Sequence, residues 1–138
     1  VHVAYLACVP GAEQADLFPG VQATFRRVQE WVQGIGLELS TLLHIGTPVL
    51  QAGRLVRYEC CVEVPAPVQD GLGEAGIQDL PGGRYAVLSM EKDPAVIGPS
   101  IGRLYGEYLP QAGLQVDARR PTYEIYFEST MEYCVPAM

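Results

Sequence analysis

Positive charge is scarce in this sequence: nine Lys and Arg face sixteen Asp and Glu, leaving a net charge of -7 over 138 residues. An anionic surface repels phosphate backbones, so direct nucleic-acid binding by this chain is not expected, whereas a cationic ligand is favoured. Long apolar runs are also missing. None approaches the roughly 20 residues that cross a bilayer, and no basic segment leads into an apolar one at the start. The expectation is a soluble, cytoplasmic protein with no membrane partner.

Metal ligands are few. Two histidines and four cysteines (Cys8, Cys60, Cys61 and Cys134) form no C-x-x-C pair, which argues against a structural zinc site, and no cofactor is implied. Each cysteine lies in an apolar, strand-like run and reads as a small buried hydrophobe in a reducing compartment. No glycine-rich run opens a helix with Lys-Ser or Lys-Thr, so Gly82-Gly83 is a turn and not a phosphate loop. Arg119-Arg120 is too short for a basic patch. His44, between Leu43 and Ile45, reads as a structural group, and local motifs give no Ser-His-Asp or Cys-His arrangement.

What is present suits one globular domain: apolar residues make up 49% and charged residues 18%, enough for a single core. His2 to Val9 is an apolar strand ended by Pro10-Gly11. Val21, Phe25, Val28, Val32 and Ile35 then fall at helical spacing, with Pro19 suited to the first turn and Gly34 and Gly36 to the end. Leu42 to Val49 and Leu55 to Val64 read as two strands joined around Gln51-Ala52-Gly53. Residues 66 to 76, rich in Pro and Gly, are the expected linker.

The order then recurs. Ile77 to Leu80 leads through Pro81-Gly82-Gly83 into a strand at Arg84 to Met90. A helix is predicted between Pro94 and Gly113, with Ile97, Ile101, Leu104 and Tyr108 on one face and a kink or stop at Pro110. Strands at Thr122 to Glu128 and Met131 to Val135 follow. Even the helix ends look alike: Glu30-Trp31-Val32-Gln33-Gly34-Ile35-Gly36-Leu37 against Glu107-Tyr108-Leu109-Pro110-Gln111-Ala112-Gly113-Leu114. The predicted class is α+β, with tandem pseudo-twofold strand-helix-strand-strand repeats (about 1–65 and 77–138) forming antiparallel sheet under two main helices.

Leu80-Pro81-Gly82-Gly83-Arg84-Tyr85-Ala86-Val87, then Leu104-Tyr105, Tyr108-Leu109-Pro110 and Gly113, then Pro121-Thr122-Tyr123-Glu124-Ile125-Tyr126 together resemble the GyrI-like domain. Tyr58-Glu59-Cys60-Cys61-Val62-Glu63-Val64-Pro65 agrees in the first half. That family includes DNA gyrase inhibitory proteins and the effector-binding domains of AraC- and MerR-type regulators. The resemblance implies a multidrug-type pocket between the repeats that takes lipophilic, aromatic, often cationic compounds, and places the family's pocket carboxylate at Glu124. It also implies alternatives: hydrolysis of cyclopropane-bearing natural products in the same pocket, with Glu124 catalytic, or an effector-binding role with a protein partner or a fused DNA-binding domain before Val1. The loops Val9-Pro10-Gly11 and Ser89 to Pro94 depart from the family pattern.

Strand alternation puts Glu124 and Tyr126 on one face and Tyr123, Ile125 and Phe127 on the other. A carboxylate beside an aromatic ring suits a cation that also stacks. Glu59 shares a face with Cys61 and Glu63, while Tyr58, Cys60, Val62 and Val64 form a more apolar face. Tyr85, Tyr105, Tyr108, Trp31, Tyr5 and Tyr58 are the remaining candidate ligand contacts, each offering an apolar ring with a polar tip.

Overall fold

A computed structural model describes residues 1–10, 17–68 and 74–138. The described chain divides into two compact units, Val1–Leu80 and Pro81–Met138. Strands pair antiparallel in both, and each carries its own helix, so the class is α+β. No described helix is long and apolar enough to cross a membrane.

The first unit contains β1 (His2–Cys8), α1 (Leu17–Gly34), β2 (His44–Gln51), β3 (Arg54–Glu63) and β4 (Gly76–Asp79). Its strand order is β4-β1-β3-β2. The β2–β3 hairpin closes through Ala52 (φ 51) and Gly53 (φ 77), two consecutive left-handed residues whose twist matches that of the flanking strands. Gly76, the expected end of the linker, and residues 77–79, expected to begin the second repeat, pair with β1 from His2↔Asp79 to Tyr5↔Gly76. The division therefore falls at Pro81, because four ladder residues tie this segment to the first strand. Part of the expected linker, 69–73, lies outside the described residues.

Register fixes which side chains meet α1. Ala4, Tyr58, Cys60 and Val62 join Val28 and Val32 in one core, with Leu6, Phe25 and Trp31 packed against it. Val28 and Val32 are wholly buried, and such burial stabilises by about 1.5–3 kcal/mol per side chain. Tyr58 lies where a Cβ on Gly46 would overlap its ring, so the strand needs glycine there. Ile35, predicted on the apolar stripe, is 39% exposed because the helix has already ended at Gly34. Gly36 (φ 92) turns the chain, with Gly36 N donating to Gln33 O at 3.0 Å and Leu37 N to Val32 O at 3.3 Å. That paired pattern is the Schellman end of a helix.

The second unit contains β5 (Tyr85–Glu91), α2 (Pro94–Arg103), a widened π turn (Leu104–Tyr108), a last short turn α3 (Leu109–Gln111), β6 (Tyr123–Tyr126) and β7 (Thr130–Pro136). Its strand order is β6-β7-β5. Asp93 caps α2, its side chain accepting from Ala95 N at 2.9 Å, with Pro94 in the first turn, a pairing that satisfies an orphan N–H and presets φ. The predicted helix is not uniform. Leu109 N reaches back to Leu104 O, five residues. Pro110 has no N–H to give Gly106, and its ring would crowd that carbonyl, so the turn before it opens. Gly113 (φ 69) then ends the helix, with Gly113 N on Pro110 O at 3.1 Å and Leu114 N on Leu109 O at 2.9 Å.

A polar knot secures the base of this unit. Asp117, 5% exposed, accepts from Arg119 Nε and Arg120 Nε at 3.0 Å each. The two guanidiniums hold its carboxyl well below the usual carboxylate range. Arg120 also donates to Arg84 O at 3.2 Å and Ala137 O at 2.9 Å, pinning the entry of β5 to the end of the chain.

Candidate functional site

In the second unit the helix-facing side of the sheet is set by register. Met131, Tyr133 and Val135 of β7 pack with Leu104 and Leu109, joined by Ala86, Leu88 and Tyr126. Glu124 is the cross-strand partner of Tyr133, and Tyr126 that of Met131. Since directly opposed residues share a face, Glu124 and Tyr126 both stand on the helix side. The alternation read from sequence is thereby given a direction.

Glu124 is half-buried, and Tyr126 Oη donates to its Oε1 at 3.3 Å. Tyr133 lies beside it, buried, with its hydroxyl 3.1 Å from that of Tyr105. The two rings meet edge to face, with centroids 6.2 Å apart and planes at 79°. Burial pushes the Tyr133 phenol well above its ordinary value, and the Tyr105 hydrogen bond and the Glu124 charge push it further. At neutral pH Tyr133 is therefore a neutral phenol. The widened turn presents Tyr105 and Tyr108, which are 40% and 43% exposed. Glu124 and the phenols of Tyr126, Tyr133 and Tyr105 thus lie in one region of the unit, joined as two hydrogen-bonded pairs.

The other candidates fall elsewhere. Tyr85 is opposite Pro136 on the far face of the same sheet. It stacks on Tyr123 with centroids 5.3 Å apart, lies under the Arg120 guanidinium at 5.1 Å, and donates to Pro121 O at 2.9 Å. In the first unit, Trp31 and Tyr58 belong to the core beneath α1. Glu59 and Tyr5 occupy the opposite face, because Glu59 pairs with Ala7 and Tyr5 with Cys61. The Tyr5 ring crosses Gly76, where a Cβ would come within 2.8 Å of Cε1.

Glu59 is as buried as a core residue, at 9% exposure, and its oxygens are taken: Arg57 Nε donates to Oε2 at 3.2 Å and Gln78 Nε2 to Oε1 at 3.2 Å. A carboxylate so matched is a structural ion pair. Tyr133 was not among the residues singled out from sequence. The available signal was its parity with Met131 and Val135, which pointed to the helix side, but its link to Glu124 needs the register of β6 against β7. His44 keeps a structural setting, its Nδ1 3.1 Å from Leu42 O and its ring 6.5 Å from that of Phe25.

Cys60, Cys61 and Cys134 are buried and unbridged, and burial raises all three thiols, Cys134 to about 11. Such thiols stay protonated and inert as nucleophiles. Among the described residues no group of His, Cys, Asp and Glu could hold a metal ion.

Among curated proteins, none matches this chain. A family profile does, over residues 8–137, which is nearly the whole length. The chain belongs to the GyrI-like family, the GyrI-like small molecule binding domain.

Proposed function

We propose that the chain binds lipophilic, aromatic, cationic small molecules, with Glu124 as the charge partner and Tyr105, Tyr126 and Tyr133 as the aromatic surroundings. The observation that carries this reading is the setting of Glu124. It is half-buried on the helix-facing side of the sheet, and its neighbours Tyr126 and Tyr133 within the unit are phenols. A carboxylate partly removed from water attracts a cation more strongly than one in bulk solvent, and ring faces nearby add cation–π attraction. Glu59 stands on the face of the first unit's sheet opposite α1, tied to Arg57 and Gln78.

Fluorescence titration with a lipophilic cationic dye tests the reading. Glu124→Gln is expected to weaken binding by roughly tenfold or more, and Glu59→Gln to leave it nearly unchanged. Equal affinity of the parent and Glu124→Gln would remove Glu124 from the role.

A hydrolytic reading of the same residues draws on the hydroxyl pair Tyr105–Tyr133 beside Glu124. Glu124 would act as the acid–base group: water adds to one cyclopropane carbon, the strained C–C bond breaks, and a proton is delivered to the other fragment. Mass detection of a water adduct after incubation with a cyclopropane-bearing alkylator, above the rate in buffer, separates turnover from binding.

A further inference from the structure

Strand β5 ends the strand order of the second unit. Its outward backbone groups can be named. Ala137 N donates to Arg84 O at 3.0 Å and Lys92 N to Ser129 O at 3.3 Å. The register runs without a shift between those two pairs. Even-numbered residues of β5 therefore direct N–H and C=O toward β7, and Tyr85, Val87, Ser89 and Glu91 direct theirs away from it. Among the described residues no strand pairs with that side.

Proteins guard such an edge with proline, bulges, charge or shortness. The outer strand β4 of the first unit is four residues long and ends in Asp79. β5 has seven residues, no proline, no bulge and no charge before Glu91, and its middle carries Val87 at 53% exposure. Charge sits only at its ends, Arg84 before the strand and Glu91 at its close.

We propose that β5 is a self-pairing edge, where two copies of this chain join β5 to β5 antiparallel about a twofold axis through Val87. On that axis Val87 meets Val87, Tyr85 meets Ser89 of the second copy, and roughly six backbone hydrogen bonds form. In this register Arg84 lies opposite Met90 and Glu91 opposite Gly83 of the second copy, so no like charges stand directly opposite one another. Moving the axis one residue to Leu88 would set Arg84 directly opposite Lys92, a like-charge pair that disfavours that register. The contact is small, so the dimer is weak and concentration-dependent.

Sedimentation of the full chain, from low micromolar to near-millimolar concentration, is the test. The parent is expected to move from chain mass to twice chain mass. Val87→Pro removes an N–H that makes no bond to β7, so it should keep the parent's circular dichroism and melting while raising the dimer dissociation constant roughly tenfold or more. Val87→Lys, which leaves the backbone intact, should do the same by placing like charges on the axis. A short bis-maleimide should join two copies of Val87→Cys and leave two copies of Val116→Cys, another exposed position, unjoined. A parent that stays at chain mass throughout overturns the proposal. So does a dimer that both Val87→Pro and Val87→Lys leave intact.

Discussion

The two units share a three-strand order but carry different helices. In each, the third strand lies between the first and the second: β3 between β1 and β2, β7 between β5 and β6. Both helices also end the same way, Gly36 and Gly113 at positive φ with the paired 6→1 and 5→2 bonds, and Leu37 and Leu114 packed into the adjoining cores. The bodies differ. α1 runs unbroken for 18 residues, whereas α2 gives way after 10 to a widened turn. Sheet and cap set the scaffold, and the helix body is where one copy departs. The departure carries two exposed aromatics, Tyr108 and Tyr105, the second with its hydroxyl on that of Tyr133.

The comparison can be broken hardest at Gly46. Gly46→Ala should destabilise by about 3 kcal/mol in a melting experiment, because the new Cβ overlaps the buried Tyr58 ring. The caps come next. Gly36→Ala and Gly113→Ala should each cost about 1–2 kcal/mol, and nearly the same amount, since both force a left-handed backbone on an L-residue with open space around it. Unequal losses would mean the two ends are not equivalent.

Smaller and opposite in sign is the effect at Gly98. A Cβ there meets nothing within 4 Å, so Gly98→Ala should stabilise α2 by about 0.5–1 kcal/mol.

The smallest effects near neutrality are two latches with opposite pH dependence. His2 Nδ1 is 2.8 Å from Asp79 Oδ1 and Nε2 is 3.0 Å from Val68 O, so both ring nitrogens face acceptors. The Val68 carbonyl, then Asp79, raises its pKa. A raised folded value gives stability that is full below the unfolded value of about 6.5 and is lost as pH climbs through the folded one. Asp117 runs the other way: its lowered value gives stability present above an unfolded value of about 3.9 and lost as pH falls through the folded one. Melting temperature against pH should flatten on the alkaline side in His2→Gln and on the acid side in Asp117→Asn. Unchanged slopes in either variant would dismiss that latch.

Much of this was legible in the amino-acid order. Proline and glycine marked both ends of α1, the turn at residues 51–53, and the trouble at Pro110. Period-two alternation correctly grouped Glu124 with Tyr126, and Glu59 apart from Tyr58. Alternation says which residues share a face but not which face meets a helix, so the place of Tyr133 opposite Glu124 and the far-side position of Tyr85 waited on register. β4 was missed as a strand because four residues hold too little pattern. Its pairing with β1 is a contact across more than seventy positions, which no local window contains. The widened turn was hidden for a related reason: the sequence showed that Pro110 disturbs the helix, but not whether the chain would kink, stop or open.

A π turn is a helix carrying one surplus residue. The five-residue bond from Leu109 N to Leu104 O absorbs that surplus within one turn, so Leu104 and Leu109 both stay in the core while Tyr105 sits on the widened stretch. Deleting Gly106 would make that bond an ordinary four-residue one, and is expected to shift Tyr105 locally and part it from Tyr133 while the helix on either side keeps its place. The meeting of Tyr105 with Tyr133 thus hangs on a single-residue insertion that the sheet beneath does not register.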